Sequence, residues 1–184
     1  MEYLIKTNRL GLRQWEDLDF EPFAELNADE EVRKYFPGLL SRVESDKVIQ
    51  SMRKKINLNG FGFWALDVLK TGKFIGMVGI TLTDLNLNFT PCIEIGWHLK
   101  KSAWGNGYAT EAAFASLDFA INECGFGEIY SWTAKQNVPS ENVMKKIGME
   151  KVAEFNHPNI EDGHWLSPHL LYKINQAQFL QNQI

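Results

Sequence analysis

Cysteine is scarce in this sequence of 184 residues, which contains only Cys92 and Cys124. Their separation matches no metal-ligand spacing, so we expect no metal site and two buried, reduced thiols in a cytoplasmic protein. An apolar run long enough to span a bilayer is also missing, and residues 1–13 lack the apolar core of a signal peptide. These absences argue against the secreted, disulfide-rich and membrane-spanning classes of protein.

Basic residues are outnumbered, because 19 Lys and Arg stand against 23 Asp and Glu, for a net charge of −4 at pH 7. A general nucleic-acid binder is usually basic, so we expect no direct nucleic-acid partner and no membrane partner. A local phosphate site remains compatible with this balance, because backbone amides and a few lysines suffice for it. The length predicts one domain covering residues 1–184, and 12 Phe and 6 Trp predict a substantial apolar core.

Two familiar phosphate-binding motifs are missing. No Gly-Lys pair is followed by Ser or Thr, as a P-loop requires, and Thr110 occupies the third glycine position of the dinucleotide fingerprint. What is present is a turn, Trp104-Gly105-Asn106-Gly107, between an alternating apolar stretch and an Ala-rich helical stretch. A helix start has unpaired N–H groups, so a glycine turn there lets an anion approach the backbone. The alternative is a tight connection before a buried helix.

The periodicity of the apolar residues predicts a mixed sheet with helices on both faces. Strands are predicted at residues 9–14, 61–68, 74–82, 92–99, 128–134, 151–155 and 166–174. Helices are predicted at residues 17–27, 30–36, from Ser45 or the residues just before it to about 57, from about 108 to 125, and 140–147, with a weak helix after 175. Consecutive strands favour antiparallel pairs, and the helix that follows residue 107 predicts one parallel neighbour.

Five stretches in this order resemble the GNAT superfamily of N-acetyltransferases. They read TNRLGLRQW, FIGMVGI, EIGWHLKKSAWGNGYATEA, NVPSENVMKKIGM and DGHWLSPHLLYKI, and together they span nearly the whole chain. The sequence is most similar to the Rim-type branch, which includes ribosomal-protein N-terminal acetyltransferases. The resemblance implies an α+β fold with a mixed, mostly antiparallel sheet of six to seven strands between helical layers. It also implies acetyl-CoA as cosubstrate and an amine acceptor, and it leaves a homodimer open.

The cofactor loop of that family has the form Gln/Arg-x-x-Gly-x-Gly/Ala, and here it falls on residues 104–109. Trp104 replaces the usual Gln or Arg, as is common in the Rim-type branch, and the backbone cradle is kept. The resemblance assigns cofactor binding to Trp97, His98, Leu99, Trp104, Gly105, Asn106, Gly107, Tyr108, Ala109, Thr110 and Asn137. Lys100 and Lys101 are either additional phosphate contacts or ordinary exposed lysines.

Glu94 is the candidate general base, acting through water on the amine; the alternative is a carboxylate paired with a neighbouring cation. His98 is a second candidate, because its unperturbed pKa lies near neutrality. The resemblance implies Ser140 as the candidate acid for the leaving thiol, because it follows Asn137 by three residues as in some Rim-type enzymes. Ser140 is also placed to be a helix N-cap, which we favour. Tyr108 and Tyr172 are further hydroxyls, with packing the favoured role for the first.

The resemblance to the Rim-type branch implies a protein N-terminal α-amine as the acceptor. Such an amine has a pKa of about 7.7–8, against about 10.4 for lysine, so it needs little help to lose a proton. Acidic residues in predicted loops, Asp84, Glu161 and Asp162, leave a polyamine or aminoglycoside as an alternative. A regulatory module that binds acyl-CoA without catalysis is the other alternative. Specificity is expected in the early helices and in the connections at 84–90 and 156–164.

Overall fold

The computed structural model describes residues 2–181, in which eight strands form one sheet with helices on both sides. The strands are β1 Ile5–Lys6, β2 Leu10–Arg13, β3 Phe63–Val68, β4 Lys73–Thr83, β5 Cys92–Leu99, β6 Glu128–Ala134, β7 Glu150–Asn156 and β8 Pro168–Asn175. The helices are α1 Phe20–Asn27, α2 Arg42–Asn59, α3 Tyr108–Asp118, α4 Val138–Lys146 and α5 Gln176–Gln181. A π-helical turn, Phe119–Glu123, extends α3. No helix of this part of the chain is long and apolar enough to cross a membrane.

The strand order is β1-β2-β3-β4-β5-β6-β8-β7, and all neighbouring pairs are antiparallel except β5 and β6. The α3 crossover explains the parallel pair, because a strand that follows a crossing helix returns in the original direction. The predicted mixed sheet between two helical layers is therefore confirmed. The sheet has eight strands where six to seven were predicted, since the two-residue β1 adds to the edge beyond β2.

The parallel pair is short. β5 pairs with β4 along its whole length, from Cys92 to Leu99, but the only pairing with β6 in residues 2–181 joins Glu94 to Tyr130. The Ser131 hydroxyl adds one bond to the Ile95 carbonyl oxygen at 2.9 Å. Beyond that point no ladder pairing joins the two strands in residues 2–181, and we call this unpaired stretch between their C-terminal ends the gap.

The two faces of the sheet carry different cores. On one face α3, α4 and α5 pack with Ile95 and Leu99 of β5 in the larger apolar cluster. On the other face α1 and α2 pack on β3 and β4 in a second cluster. Because side chains alternate along a strand, Glu94 and His98 project on this second face.

Two helix predictions need correction. Residues 30–36 form turns, because the Asp29 carboxylate accepts the N–H groups of Glu31 and Val32 in place of a helical ladder. The 17–27 helix begins as a 3-10 turn, Asp17–Asp19, and becomes α-helical only at Phe20. α2 begins at Arg42, just before Ser45 as the prediction allowed, since Ser41 is its N-cap and forms a capping box with Glu44.

The start of α4 was also misplaced. The helix begins at Val138, and the Asn137 side chain is its N-cap, accepting the Ser140 N–H at 3.3 Å. The favoured N-cap role of Ser140 is therefore wrong. Asn and Ser are both good cap residues, and Pro139 in the first turn fits the earlier start, because the first helical N–H groups have no partner inside the helix.

Candidate active site

The turn between β5 and α3 leaves the start of the helix open. Gly105 and Gly107 have φ values of 75° and 76°, a conformation that other residues rarely adopt. Gly107 is the N-cap of α3 and has no side chain to cap it, so the first N–H groups, of Tyr108, Ala109 and Thr110, receive no side-chain bond there. These N–H groups and the helix dipole are suited to bind an anion such as a diphosphate.

Two side chains of the turn brace it from within. The Asn106 amide donates to the carbonyl oxygens of Ala103 and Trp104, at 3.2 and 3.0 Å. The Trp104 indole N–H donates to the Leu99 carbonyl oxygen at 3.0 Å, which ties the turn to the end of β5. Both side chains are thus engaged in shaping the turn, and the backbone supplies the groups that face a ligand.

Arg9 is a residue of this site that the sequence did not single out. Its Nε donates to Glu111 Oε2 at 2.6 Å, and its Nη1 donates to the Asn106 carbonyl oxygen at 2.9 Å. The guanidinium also lies 4.8 Å from the centroid of the Tyr108 ring. Tyr108 therefore packs under a cation, in agreement with the favoured packing role. A signal for Arg9 was present in the stretch TNRLGLRQW. Arg9 is a charged residue at the start of a predicted strand, where packing does not require an arginine.

The two lysines after β5 face α1. Lys100 forms an ion pair with Glu25 at 3.1 Å, and Lys101 lies 3.9 Å from Glu31. Each positive charge thus has a carboxylate partner on the α1 side. This arrangement favours ordinary ion-paired lysines over the alternative of phosphate contacts.

Glu94 lies among polar groups on the face shared with α2. It accepts a hydrogen bond from Thr83 Oγ1 at 2.7 Å, and Lys55 Nζ donates to the neighbouring Thr81 Oγ1 at 3.3 Å. Burial raises the pKa of Glu94 to about 7, although the Thr83 bond and the Lys55 charge act in the opposite direction. A carboxylate with this pKa is suited to accept a proton near neutral pH. Lys55 was missed, because the run Arg53-Lys54-Lys55 was interpreted as a solvated helix face.

His98 projects on the same face as Glu94 but is closed off. Its ring lies 4.8 Å from the Phe36 ring, and the residue is buried. Burial and the positive charge of Arg33 lower the pKa of His98 to about 3, so the ring is neutral at physiological pH. Within residues 2–181 its Nε2 has no hydrogen-bond partner. These features favour Glu94 over His98 as the base.

Asn137 and Ser140 follow β6, across the gap from β5. The Asn137 amide also donates to Thr133 Oγ1 at 2.9 Å, so the side chain is held by both strand and helix. Ser140 is half-buried in the first turn of α4, and its hydroxyl is not needed as a cap. Tyr172 donates to Glu141 at 2.6 Å, and burial raises its pKa to about 12. The hydroxyl proton of Tyr172 is therefore already donated to Glu141.

Comparison with known proteins identifies the family and the fold. The family described as "Acetyltransferase (GNAT) domain" matches residues 9–150. The chain belongs to the GNAT acetyltransferase family. Among its relatives, the uncharacterized protein YkkB of Bacillus subtilis is 33% identical over 158 residues, covering 84% of this chain and 91% of that protein.

Two further GNAT relatives agree with this placement. The uncharacterized N-acetyltransferase YnaD of Bacillus subtilis is 29% identical over 161 residues, covering 88% of this chain and 91% of its own. The crystal structure of a GNAT-family acetyltransferase from Bacillus anthracis superimposes with a TM-score of 0.80 at 26% identity, covering 94% of this chain and 98% of that one. The protein is accordingly an N-acetyltransferase, and its family uses acetyl-CoA as cosubstrate.

The open amides at the start of α3 fit that cosubstrate. A diphosphate needs several N–H donors and a path free of side chains, and Gly105 meets no atom within 4 Å where a Cβ would stand. The gap between β5 and β6 begins beside this turn. Trp97–Leu99 end β5 on one side of it, and Asn137 follows β6 on the other.

Proposed function

We propose that this protein transfers an acetyl group from acetyl-CoA to the N-terminal α-amine of a protein, with both substrates bound at once. The observation that supports this most is the state of Glu94. Its carboxylate, with a pKa of about 7, lies where β5 separates from β6, on the face opposite α3. Cosubstrate and acceptor thus approach the gap from the two faces of the sheet.

The cosubstrate is held mainly by backbone groups in this proposal. The N–H groups of residues 105–110 bind the diphosphate, with the side chains of Trp104 and Asn106 bracing them. The main chain of Trp97, His98 and Leu99 supplies the β5 wall for the pantetheine arm, and Asn137 supplies the opposite wall. When bound, acetyl-CoA supplies an acetyl carbon activated by its thioester. Holding it beside the amine removes orientational freedom that otherwise adds to the barrier.

In the proposed mechanism, the protein removes one proton from the acceptor amine and supplies one to the leaving sulfur. Glu94 accepts a proton from the attacking amine through a water molecule. The N–C bond forms at the acetyl carbon and places negative charge on its carbonyl oxygen, and the C–S bond then breaks to release the CoA thiolate. Ser140 donates a proton toward the departing sulfur and recovers one from solvent. Main-chain N–H groups of β5 beyond Glu94, which have no β6 partner in residues 2–181, face the gap and are suited to stabilise negative charge on the carbonyl oxygen.

The raised pKa of Glu94 favours an α-amine over a lysine or polyamine nitrogen as the acceptor. A base with a pKa of about 7 matches an α-amine at about 7.7–8 far better than a lysine or polyamine nitrogen near 10.4. Likeness of fold does not choose between acceptors. Mycobacterium smegmatis RimJ superimposes with a TM-score of 0.73 at 20% identity, and spermidine N-acetyltransferase from Vibrio cholerae superimposes at 0.75 and 17%.

A panel of amines tests the proposal. Thiol release from acetyl-CoA is measured with a lysine-containing peptide, the same peptide with a blocked N-terminus, and spermidine, and mass spectrometry locates the acetyl group. We expect transfer to the free N-terminus and none to the blocked peptide. Transfer to spermidine or to lysine alone would contradict the α-amine. Tight CoA binding without release on any amine would instead support a non-catalytic module.

A further inference from the structure

A group of aromatic side chains, Phe89, Tyr130, Trp132 and Phe155, covers the sheet next to Glu94, and we call it the aromatic patch. We propose that it receives the first side chain of the acceptor and that this side chain is aromatic or large and apolar. The inference rests on the proposed transfer to an α-amine and names the substrate class for it.

The patch is a packed set of rings. The Phe89 ring is stacked with the Tyr130 ring at 5.9 Å and an interplanar angle of 23°. It meets the Phe155 ring edge-on at 5.2 Å, and Trp132 lies 5.9 Å from it. Rings in such arrangements bind a further ring or aliphatic group favourably.

Strand register places the patch beside the base. Tyr130 is the direct partner of Glu94 on the neighbouring strand, so their side chains project on the same face of adjacent strands. Alternation puts Trp132 on that face, and it is opposite Leu171 of β8. α1 and α2 cover β3 and β4 on this face, while the loop that carries Phe89 lies over β6.

A groove opens in the patch. Its volume is about 350 Å³, and its apolar lining includes Phe89, Tyr130, Phe155 and Leu171. Ligand sites range over roughly 300–1,000 Å³, so this groove suits one side chain better than a whole cofactor.

The charges around the groove argue against a polycation. Two charged residues line it, and both have partners: Lys173 lies 2.8 Å from Glu128, and Glu154 lies 2.9 Å from Lys135 and 2.5 Å from Lys151. Glu154 therefore offers no unbalanced negative charge to a second amine. The remaining feature of the groove that can select the acceptor is its apolar lining.

The test is a set of peptides that are identical except for the first residue, which is Phe, Leu, Ala, Ser or Asp. We expect kcat/KM for the Phe peptide to exceed that for the Ser peptide by about tenfold or more, with Leu intermediate, as hydrophobic pockets typically discriminate. In Phe89→Ala, the ratio of kcat/KM for the Phe peptide to kcat/KM for the Ser peptide should fall toward one, and the Kd for CoA shows whether the cosubstrate site is intact. Phe114→Ala, an aromatic deletion at a site 38% exposed on α3, is the matched control.

Each other outcome has a distinct meaning. Equal rates for the Phe and Ser peptides with the unmodified protein would overturn the aromatic patch as the acceptor site while leaving transfer to α-amines intact. Unchanged selectivity in a folded Phe89→Ala protein would overturn it as well. Failure of every peptide, with or without acetylation of small amines, would contradict the proposed function itself and the inference with it.

Discussion

Arg9 and Glu111 are 102 residues apart in the chain, yet their side chains meet at 2.6 Å beside the cofactor turn. Thr7 Oγ1 donates to the same carboxylate at 2.5 Å, so the segment before β2 is fastened to the first turn of α3. Because Arg9 also holds the Asn106 carbonyl oxygen, the pair fixes the backbone on which the proposed diphosphate site depends.

Replacing Arg9 should therefore weaken CoA binding without touching the catalytic groups. In Arg9→Gln we expect the Kd for CoA to rise on the order of tenfold, since charge-assisted hydrogen bonds are worth about 1.5–3 kcal/mol and 1.4 kcal/mol is tenfold. Calorimetry on the two proteins measures this. Lys101→Gln removes a cation near the same turn that is directed to Glu31, and its Kd should stay unchanged. Equal effects of the two changes would mean that Arg9 acts only through net charge.

Gly107 is the position where a side chain should harm binding most directly. Gly107→Val places a β-branched residue at a φ of 76° and next to the open N–H groups, so we expect loss of CoA binding by tenfold or more with the fold retained. Binding is followed by calorimetry and folding by circular dichroism. Gly127→Val, at a glycine with free space and no positive φ, is the control. Unchanged affinity of Gly107→Val for CoA would show that the turn is not part of the CoA site.

A buried ion cluster holds the start of the chain against the sheet. Arg13 bonds Asp67 at 2.7 Å and Asp19 at 2.6 Å, and the side chains are 4% exposed or less. Asp67→Ala leaves a buried guanidinium with half its partners, so we expect a loss of about 3–5 kcal/mol in the free energy of unfolding, measured by urea titration. Glu21→Ala, which breaks the exposed pair with Arg42, should cost about 0–1 kcal/mol. Similar losses for both would show that burial of the cluster is unimportant.

Periodicity predicted the elements that carry the site, because apolar and polar residues alternate from Ile93 to Leu99 in β5 and α3 follows a glycine turn, both local signals. It could not predict that β5 and β6 pair at a single position, since strand register depends on packing across the whole sheet. Contacts such as Arg9 with Glu111, or Lys55 with Thr81, join distant segments and leave no periodic trace.

The remaining errors arose where two local interpretations competed. Asn137 and Ser140 are both capable N-caps, and only the backbone shows which one begins the helix. The segment 30–36 has helical composition, but the Asp29 side chain satisfies its first N–H groups in a turn. The aromatic patch was also invisible, because its rings come from a loop and two strands that only the fold brings together.

The pH dependence of the rate should report Glu94. Its carboxyl is active as a base only when ionised, so kcat/KM should rise as pH increases through about 7, the raised pKa of this buried group. Glu94→Gln should lower kcat/KM by about 10²–10⁴-fold and flatten that rise. Initial rates of thiol release between pH 5.5 and 9 measure both effects. An unaltered rate and profile would show that Glu94 is not the base.

Thr83 provides a second test of Glu94 as the base. Its hydroxyl donates to the charged form of Glu94 and so lowers the pKa of the carboxyl group. Removing that bond in Thr83→Val should raise the pKa, and the midpoint of the rate profile should move to higher pH while the plateau rate is largely kept. Thr71→Val, in the exposed turn between β3 and β4, should leave the midpoint in place. A midpoint that moves to lower pH, or one that stays fixed while Glu94→Gln still abolishes the profile, would contradict this hydrogen bond as a control on the base.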